Sequence, residues 1–332
     1  MNSKSSSQIS FAQAEYEKKK KLTRREIFLN KMEQVVPWSR LIQIVEPYYP
    51  KSGKRGRPPI GLSKMLRMYF VQQWYGLADE AVEDAIYDSQ ALRIFMGIDL
   101  SCQSVPDTTT LMGFRRLLEA NSLTKAMLEE VNALLTERGL LMYEGTLVDA
   151  TLIAAPSSTK NEKHKRDPEM YQTKKGNQWY FGMKAHIGVD KDSGLVHTVV
   201  TSAANVSDIS QAPALLHGQE SDVWADAGYV GVDKREDMQQ ALQANEQTVK
   251  WHVAKRRKSI ERVADGWQKK LAQTYEMLKA KIRSRVEHPF HVIKNLFKYK
   301  KARYKGLAKN NAQVNMLFAL SNLYMVRGKM CP

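Results

Sequence analysis

The residues most capable of chemistry are acids set in surroundings that do not suit them. Asp149 stands inside Thr146-Leu147-Val148-Asp149-Ala150-Thr151-Leu152-Ile153, a β-branched and apolar run that reads as a buried strand. A carboxylate held there costs several kcal/mol if it stays charged and alone. It therefore calls for a cationic partner, a proton or a metal ion. Asp226 poses the same problem at the end of a second short strand, Ser221-Asp222-Val223-Trp224-Ala225-Asp226. If the two strands are neighbours, the acids repel and share a proton unless a divalent cation lies between them. Donors that are all oxygen select Mg²⁺ or Mn²⁺.

A third acid is expected from the C-terminal helices. Glu287 is preferred over Glu261, Asp265 and Glu276 because Val286, Phe290, Ile293 and Phe297 form an apolar stripe whose edge it occupies. Glu287 lies four residues after Arg283 and seven before Lys294, which keeps all three near one helix face. Pro289 should kink that helix beside Glu287. The residues alone leave two readings of Glu287: a plain i,i+4 ion pair with Arg283, worth a few tenths of a kcal/mol, or a metal ligand.

Charge narrows the partner. The 332-residue chain has a formal net charge of +16, and residues 250–309 hold 19 basic against 4 acidic residues. Charge so concentrated points to a polyanion, and nucleic acid is the commonest one. Lys255, Arg256, Arg257 and Lys258, then Lys298, Lys300, Lys301, Arg303 and Lys305, are expected to contact phosphates. Arg55 and Arg57, in Lys54-Arg55-Gly56-Arg57-Pro58, resemble the core of an AT-hook that lies in a narrow minor groove. The plainer reading of that stretch is a linker running into a helix. Cys102 and Cys331 cannot build a disulfide framework, and no Cys-x-x-Cys marks a zinc site. His288 and His291 read as surface or packing residues. No apolar run long enough to span a membrane and no signal peptide occur, so a cytoplasmic, nucleoid-associated protein is expected. No Gly-x4-Gly-Lys-Ser/Thr motif occurs, so no nucleotide energy source is implied.

The elements that must position these residues fall into four stretches. Residues 1–30 form a Ser-rich then basic arm, and 327–332 a tail. Residues 31–143 read as an all-helical domain for DNA binding or dimerisation, possible as a helix-turn-helix. In it Asp107 caps a helix whose apolar face holds Leu111, Phe114 and Leu118, with Arg115 and Arg116 pointing elsewhere. Another helix over about 122–138 stops at Gly139. Residues 144–326 change character: a strand carrying Asp149, a polar loop over 156–177, and strands Trp179 to Val189 and Leu195 to Ala203 joined by a Gly-containing turn. A short helix over 209–217 precedes the Asp226 strand, and a helix over 233–243 and a strand over 248–254 follow it. Three meandering strands followed by alternating helix and strand make an α/β catalytic domain of RNase H-like topology, a mixed sheet flanked by helices.

At this point the motifs resemble a known family. Val148-Asp149-Ala150, Phe181-Gly182-Met183-Lys184-Ala185-His186, Trp224-Ala225-Asp226-Ala227-Gly228-Tyr229 and Arg285-Val286-Glu287-His288-Pro289-Phe290 look like bacterial DDE transposases of insertion-sequence family five. Ala302-Arg303-Tyr304-Lys305-Gly306-Leu307-Ala308-Lys309-Asn310 and Pro106-Asp107-Thr108-Thr109-Thr110 extend the likeness over nearly the whole chain. The resemblance implies a catalytic triad of Asp149, Asp226 and Glu287 holding two Mg²⁺ or Mn²⁺ ions. It implies hydrolysis at the element ends and transesterification of the 3′-hydroxyls into target DNA, carried out by a homodimer or larger synaptic assembly. It also implies DNA contacts by Arg283, Lys294 and Lys184. The family's Tyr-x2-Arg-x3-Glu-x6-Lys signature is met at Arg283, Glu287 and Lys294, while Ala280 stands where the Tyr belongs. Some relatives stack a flipped base on a Trp between the second Asp and the Glu; Trp251 and Trp267 lie in that interval, and a buried core position is expected for both. An RNase H-like nuclease without strand transfer and a catalytically inactive DNA-binding derivative are the alternative functions.

Overall fold

A computed structural model describes residues 16, 18–51, 58–160, 162, 164–246, 248–263 and 266–330. Lys54 to Arg57, and with them Arg55 and Arg57, lie outside the described residues, as do the Ser-rich start and Asp265. The chain divides into two compact units, 1–121 with 327–332, and 122–326.

The first unit is helical, with helices Arg24–Val35, Trp38–Val45, Leu62–Tyr75, Asp79–Asp88, Gln90–Met96 and Thr108–Ala120. Local chemistry sets their ends. Thr23 and Glu26 close a capping box at the first, and Asp107 accepts the Thr110 N–H at 2.6 Å at the last, as its position predicts. Leu62–Tyr75 is the axis of the core: Met65, Leu66, Met68, Tyr69, Phe70, Val71 and Trp74 are all buried. The Trp and Met residues are packing residues, with Trp38 stacked on Phe70 at 5.3 Å. Arg115 departs from expectation. It is buried, and its guanidinium donates to both Asp79 oxygens at 2.6 and 3.0 Å. Only Arg116 of the pair is exposed. Two charges taken from water this way are tolerable because the fork matches the carboxylate.

The second unit starts earlier than the composition change at residue 145. Helix Leu123–Glu137 belongs to it, because Asn132 donates to the His197 carbonyl at 3.3 Å and accepts from Asn322 at 2.9 Å. Six strands follow: β1 Gly145–Ala154, β2 Tyr171–Lys175, β3 Gln178–Asp190, β4 Val196–Ala203, β5 Asp222–Ala225 and β6 Lys250–Val253. β1 pairs antiparallel with β3, and β3 with β4. β5 pairs parallel with β1, and β6 with β5. The order β4-β3-β1-β5-β6 is the meander-then-crossover sheet that the sequence implies, a mixed sheet of RNase H-like order. Two details differ. The stretch read as a polar loop contains β2, which pairs with the start of β3. The helix expected over 209–217 is two 3₁₀ turns, Asp208–Gln211 and Pro213–Leu215, because Pro213 lacks the donor to continue a helix. Gly182 is required where β3 meets β1: a Cβ there would stand 2.1 Å from the Ile153 carbonyl oxygen.

Alternation along the strands gives the sheet two faces. Val148, Val223 and Ala225 point into a core with Tyr229, Val232 and Met238. Asp149, Thr151 and Trp224 alternate to the other face. Helices Trp267–Arg283 and Leu307–Met330 cover that face, through the His252–Tyr275 hydrogen bond of 2.8 Å and the Thr201–Asn311 bond of 3.1 Å. Among the described residues no helix is long and apolar enough to cross a membrane.

The Arg115–Asp79 pair ties two helices of the first unit together. Arg115→Ala leaves a half-buried carboxylate without its fork and should cost about 3 kcal/mol, read as a lower urea midpoint. Arg116→Ala, at an exposed neighbour, should change stability by less than about 0.5 kcal/mol.

Candidate active site

The register of the parallel pair places the first two acids. Leu147 of β1 is opposite Trp224 of β5. Two residues further along each chain come Asp149 and Asp226, at matching positions on the same face of the sheet. Both are half-buried. Asp149 Oδ1 accepts the Ala150 N–H at 2.7 Å. Asp226 lies one residue past the end of β5 and caps the 3₁₀ turn Ala227–Tyr229, its Oδ1 accepting the Gly228 N–H at 2.8 Å. Each keeps its second oxygen free of hydrogen bonds among the described residues.

Glu287 comes from an irregular helical run. The helix Trp267–Arg283 tightens into a 3₁₀ turn at Ser284–Val286, becomes α-helical again over Glu287–His291, and widens into a π turn at Val292–Leu296. The predicted disturbance at Pro289 therefore takes the form of changed winding on either side. The predicted stripe is intact: Val286, Phe290, Ile293 and Phe297 are buried, and Glu287 sits exposed at its edge. Arg283 and Glu287 form no ion pair among the described residues. Lys294 reaches back to the strand of Asp149, donating to Thr151 Oγ1 at 2.6 Å and to the Leu152 carbonyl at 2.8 Å.

The electrostatics tie the acids together. Burial pushes the Asp149 carboxyl up to about 6 from 3.8, with Asp226 and Glu287 adding to the rise and the Ala150 N–H and Arg283 opposing it. Lys294 is shifted the other way. Burial, then Lys175 and Lys300, lower its pKa, and Glu287 raises it. A cleft of about 470 Å³ is lined by Thr151, Glu287, Lys294, Asn295 and Lys300 among others.

A divalent cation suits the donor chemistry here. The three acids offer only hard oxygens, and their like charges raise the very group that a cation would relieve. Their spacing is open: among the described residues no three His, Cys, Asp or Glu are gathered closely enough to enclose a metal ion.

The expected DNA contacts divide. Lys255, Arg256, Lys258, Lys298, Lys300, Lys301 and Lys305 are exposed, and Arg303 is half-buried. The side chain of Arg257 lies outside the described residues. The segment 298–305 runs beside the end of β1, since Ala302 donates to the Ala154 carbonyl at 2.7 Å. Lys184 does not belong with this outward group. It is turned inward, donating to the Val206 carbonyl at 2.7 Å and pairing with Asp208 at 2.9 Å. Trp251 packs on the core, as expected, whereas Trp267 is 71% exposed and is no core residue. It is the first residue of its helix, after the N-cap Gly266. His288 and His291 are exposed, as read. The sequence reading overlooked Thr151 and Lys175. Thr151 could have been found by alternation from Asp149; Lys175 was hidden by reading β2 as loop.

With this geometry in view, comparison with known families is informative. Residues 141–323 match the family described as a transposase DDE domain, and residues 16–117 match one described as a transposase domain. The first match spans more than half the chain and contains Asp149, Asp226, Glu287 and the whole sheet.

The raised Asp149 carboxyl has a stability consequence. The folded state binds this proton more tightly than the unfolded chain does. Its contribution is therefore favourable at low pH and is lost as pH rises from about 4 through about 6. In chelator-containing buffer at pH 8, Asp149→Asn should stabilise the protein by on the order of 2 kcal/mol once solvent screening is allowed for. The gain should shrink below pH 6 and close near pH 4, as read from denaturant midpoints. A gain independent of pH would show that the carboxyl is not shifted.

Proposed function

The chain belongs to the DDE transposases, and from that premise we propose how its residues carry out transposition. The protein binds the terminal inverted repeats of its insertion sequence, hydrolyses phosphodiesters at the element ends, and joins the freed 3′-hydroxyls to target DNA. The observation that carries this reading is the matched position of Asp149 and Asp226 on neighbouring parallel strands, with Glu287 and Arg283 close enough to shift Asp149.

Asp149, Asp226 and Glu287 would hold two divalent ions, Mg²⁺ or Mn²⁺, which when bound supply activation of the attacking oxygen and stabilisation of the leaving one. The protein's own part is positional and electrostatic. The sheet fixes Asp149 and Asp226 side by side, and the buried stripe of Val286, Phe290, Ile293 and Phe297 sets Glu287 at the edge. Asp149 must be ionised to serve as a ligand, so protons compete with the cation there, and the metal concentration needed for activity should rise as pH falls through about 6. Lys294, braced by Thr151 and the Leu152 carbonyl, keeps its ammonium beside Glu287, where it neutralises a phosphate next to the reacting one. Arg283 acts on the opposite side of Glu287 in sequence. Each step exchanges one P–O bond for another, so the second step needs no nucleotide. Lys255, Arg256, Lys258, Lys298, Lys300, Lys301 and Lys305 hold the backbone without reading sequence. Two ends must be cut together, which requires a homodimer or larger assembly on DNA.

The test is cleavage and joining of element-end duplex in Mg²⁺. Asp149→Ala, Asp226→Ala and Glu287→Ala should each reduce both reactions to background while duplex binding persists. Wild-type strand transfer by Asp149→Ala would refute the assignment. Cleavage by the wild type with no joined product would identify a nuclease instead.

A further inference from the structure

The hairpin β2–β3 extends beyond the rest of the sheet. β1 reaches β3 only as far as Gly182, and β4 only as far as Met183. Ala155, just past β1, still bonds the Phe181 carbonyl, so residues 178–180 of β3 have β2 as their sole backbone partner among the described residues. The two strands turn at Gly176, whose φ of +62° lies in the left-handed region that glycine tolerates. The ribbon has little apolar cover. Tyr171, Gln172, Lys174, Lys175, Gln178 and Trp179 are all exposed, Trp179 by 64%. An uncovered two-stranded ribbon is only marginally stable in water, and a tryptophan exposed at its end has no packing role there.

Pairing fixes which way the ribbon faces. Asp149 pairs with Ile187, and Ile187, Ala185, Met183, Phe181 and Trp179 share one face of β3. Lys174 pairs with Trp179 and joins that face. The same face of the sheet thus runs from Asp149 past Thr151, to which Lys294 is bonded, is covered over Ala185 and Met183, and opens again at Lys174 and Trp179 on the ribbon. Arg166 lies 5.3 Å over the Phe181 ring and adds a cation to it. From Tyr171 to Phe181 there is no acidic residue. Lys175, which alternates to the opposite face of the ribbon, is close enough to influence Lys294 in the cleft.

We propose that the β2–β3 ribbon is a duplex-DNA track that holds the DNA flanking the cleaved bond, with Lys174 and Lys175 on phosphates and Trp179 against the groove wall. Charge complementarity commits the surface to a polyanion, and a two-stranded ribbon has the dimensions of the major groove. The nine residues from Ile187 to Trp179 span at most about 26 Å of strand. The ribbon therefore meets the duplex within about eight base pairs of the acids. This rests on the catalytic reading above, because that reading places the cleaved bond at Asp149.

The test uses the full chain and a fluorescein-labelled duplex of random sequence, long enough to extend past the ribbon. Lys174→Glu with Lys175→Glu should weaken binding about ten-fold at 0.1 M salt. The slope of log affinity against log salt should fall by about 1.8, as expected for two lost phosphate contacts. Lys174→Gln with Lys175→Gln should give the same change in slope, and it decides the matter if the charge-reversed protein does not fold. Trp179→Ala should weaken binding with the slope retained. On duplexes ending within about four base pairs of the cleaved bond, Lys174→Gln alone and wild type should cleave with equal KM. A wild-type salt slope in the folded double variant overturns the track. Asp149→Ala separates the two proposals: it should lose cleavage and keep the wild-type slope. If it cleaves normally, the catalytic reading fails whatever the ribbon does.

Discussion

Two like charges held side by side by the hydrogen-bond register of a parallel strand pair are the constraint on which the rest of this structure depends. Backbone pairing of β1 with β5 is indifferent to side chains; it ends at Leu147 and Trp224 and brings Asp149 and Asp226, two residues further on, to matching positions on one face. Burial and mutual repulsion then make the ionised form of Asp149 unfavourable. The sheet tolerates this because its opposite face is closed by Val148, Val223, Ala225, Tyr229 and Met238. A rigid scaffold that keeps an acid in a shifted state is a recurrent property of sites that act on charged substrates.

The third acid is held by a different device. Helix Trp267–Arg283 is tied to the edge of the sheet at its middle. Lys279 donates to the Val253 carbonyl at 2.8 Å and pairs with Glu276 at 2.6 Å. His252 bonds Tyr275 through one ring nitrogen and Asp222 through the other. Beyond these ties the winding tightens and then widens, and the buried stripe rather than regular helix geometry decides where Glu287 and Lys294 point. Lys294 closes the loop by bonding the strand that carries Asp149. Acids from three elements are thus referred to one sheet.

The same structure sorts the basic residues into two populations. Arg115, Lys184 and Lys279 are internal cations, each matched to a carboxylate or carbonyl. Lys298, Lys300, Lys301 and Lys305 face outward beside the end of β1. Only the second population can answer to DNA at long range. Net charge therefore points to the class of partner, while burial separates the cations committed to internal partners from those left facing solvent.

Much of the site was legible in the chain itself. Asp149 and Asp226 announce themselves because a carboxylate in a β-branched run conflicts with its neighbours. Glu287 follows from the apolar stripe around it, and the Asp107 cap from local hydrogen bonding. The sequence also marked where β1, β3, β4, β5 and β6 lie along the chain, since period-2 patterns and turns are local properties. Tertiary structure alone decided the rest. β2 is a strand because β3 offers it an edge, although its own residues are polar enough to read as loop. Arg115 and Lys184 turn inward because Asp79 and Asp208 come from distant segments. Trp267, at the first position of its helix, is left exposed, which no local pattern shows. Hydrophobic pattern and residue type act along the chain and can be read there. Pairing partners, burial and the sharing of charge arise only when remote segments meet.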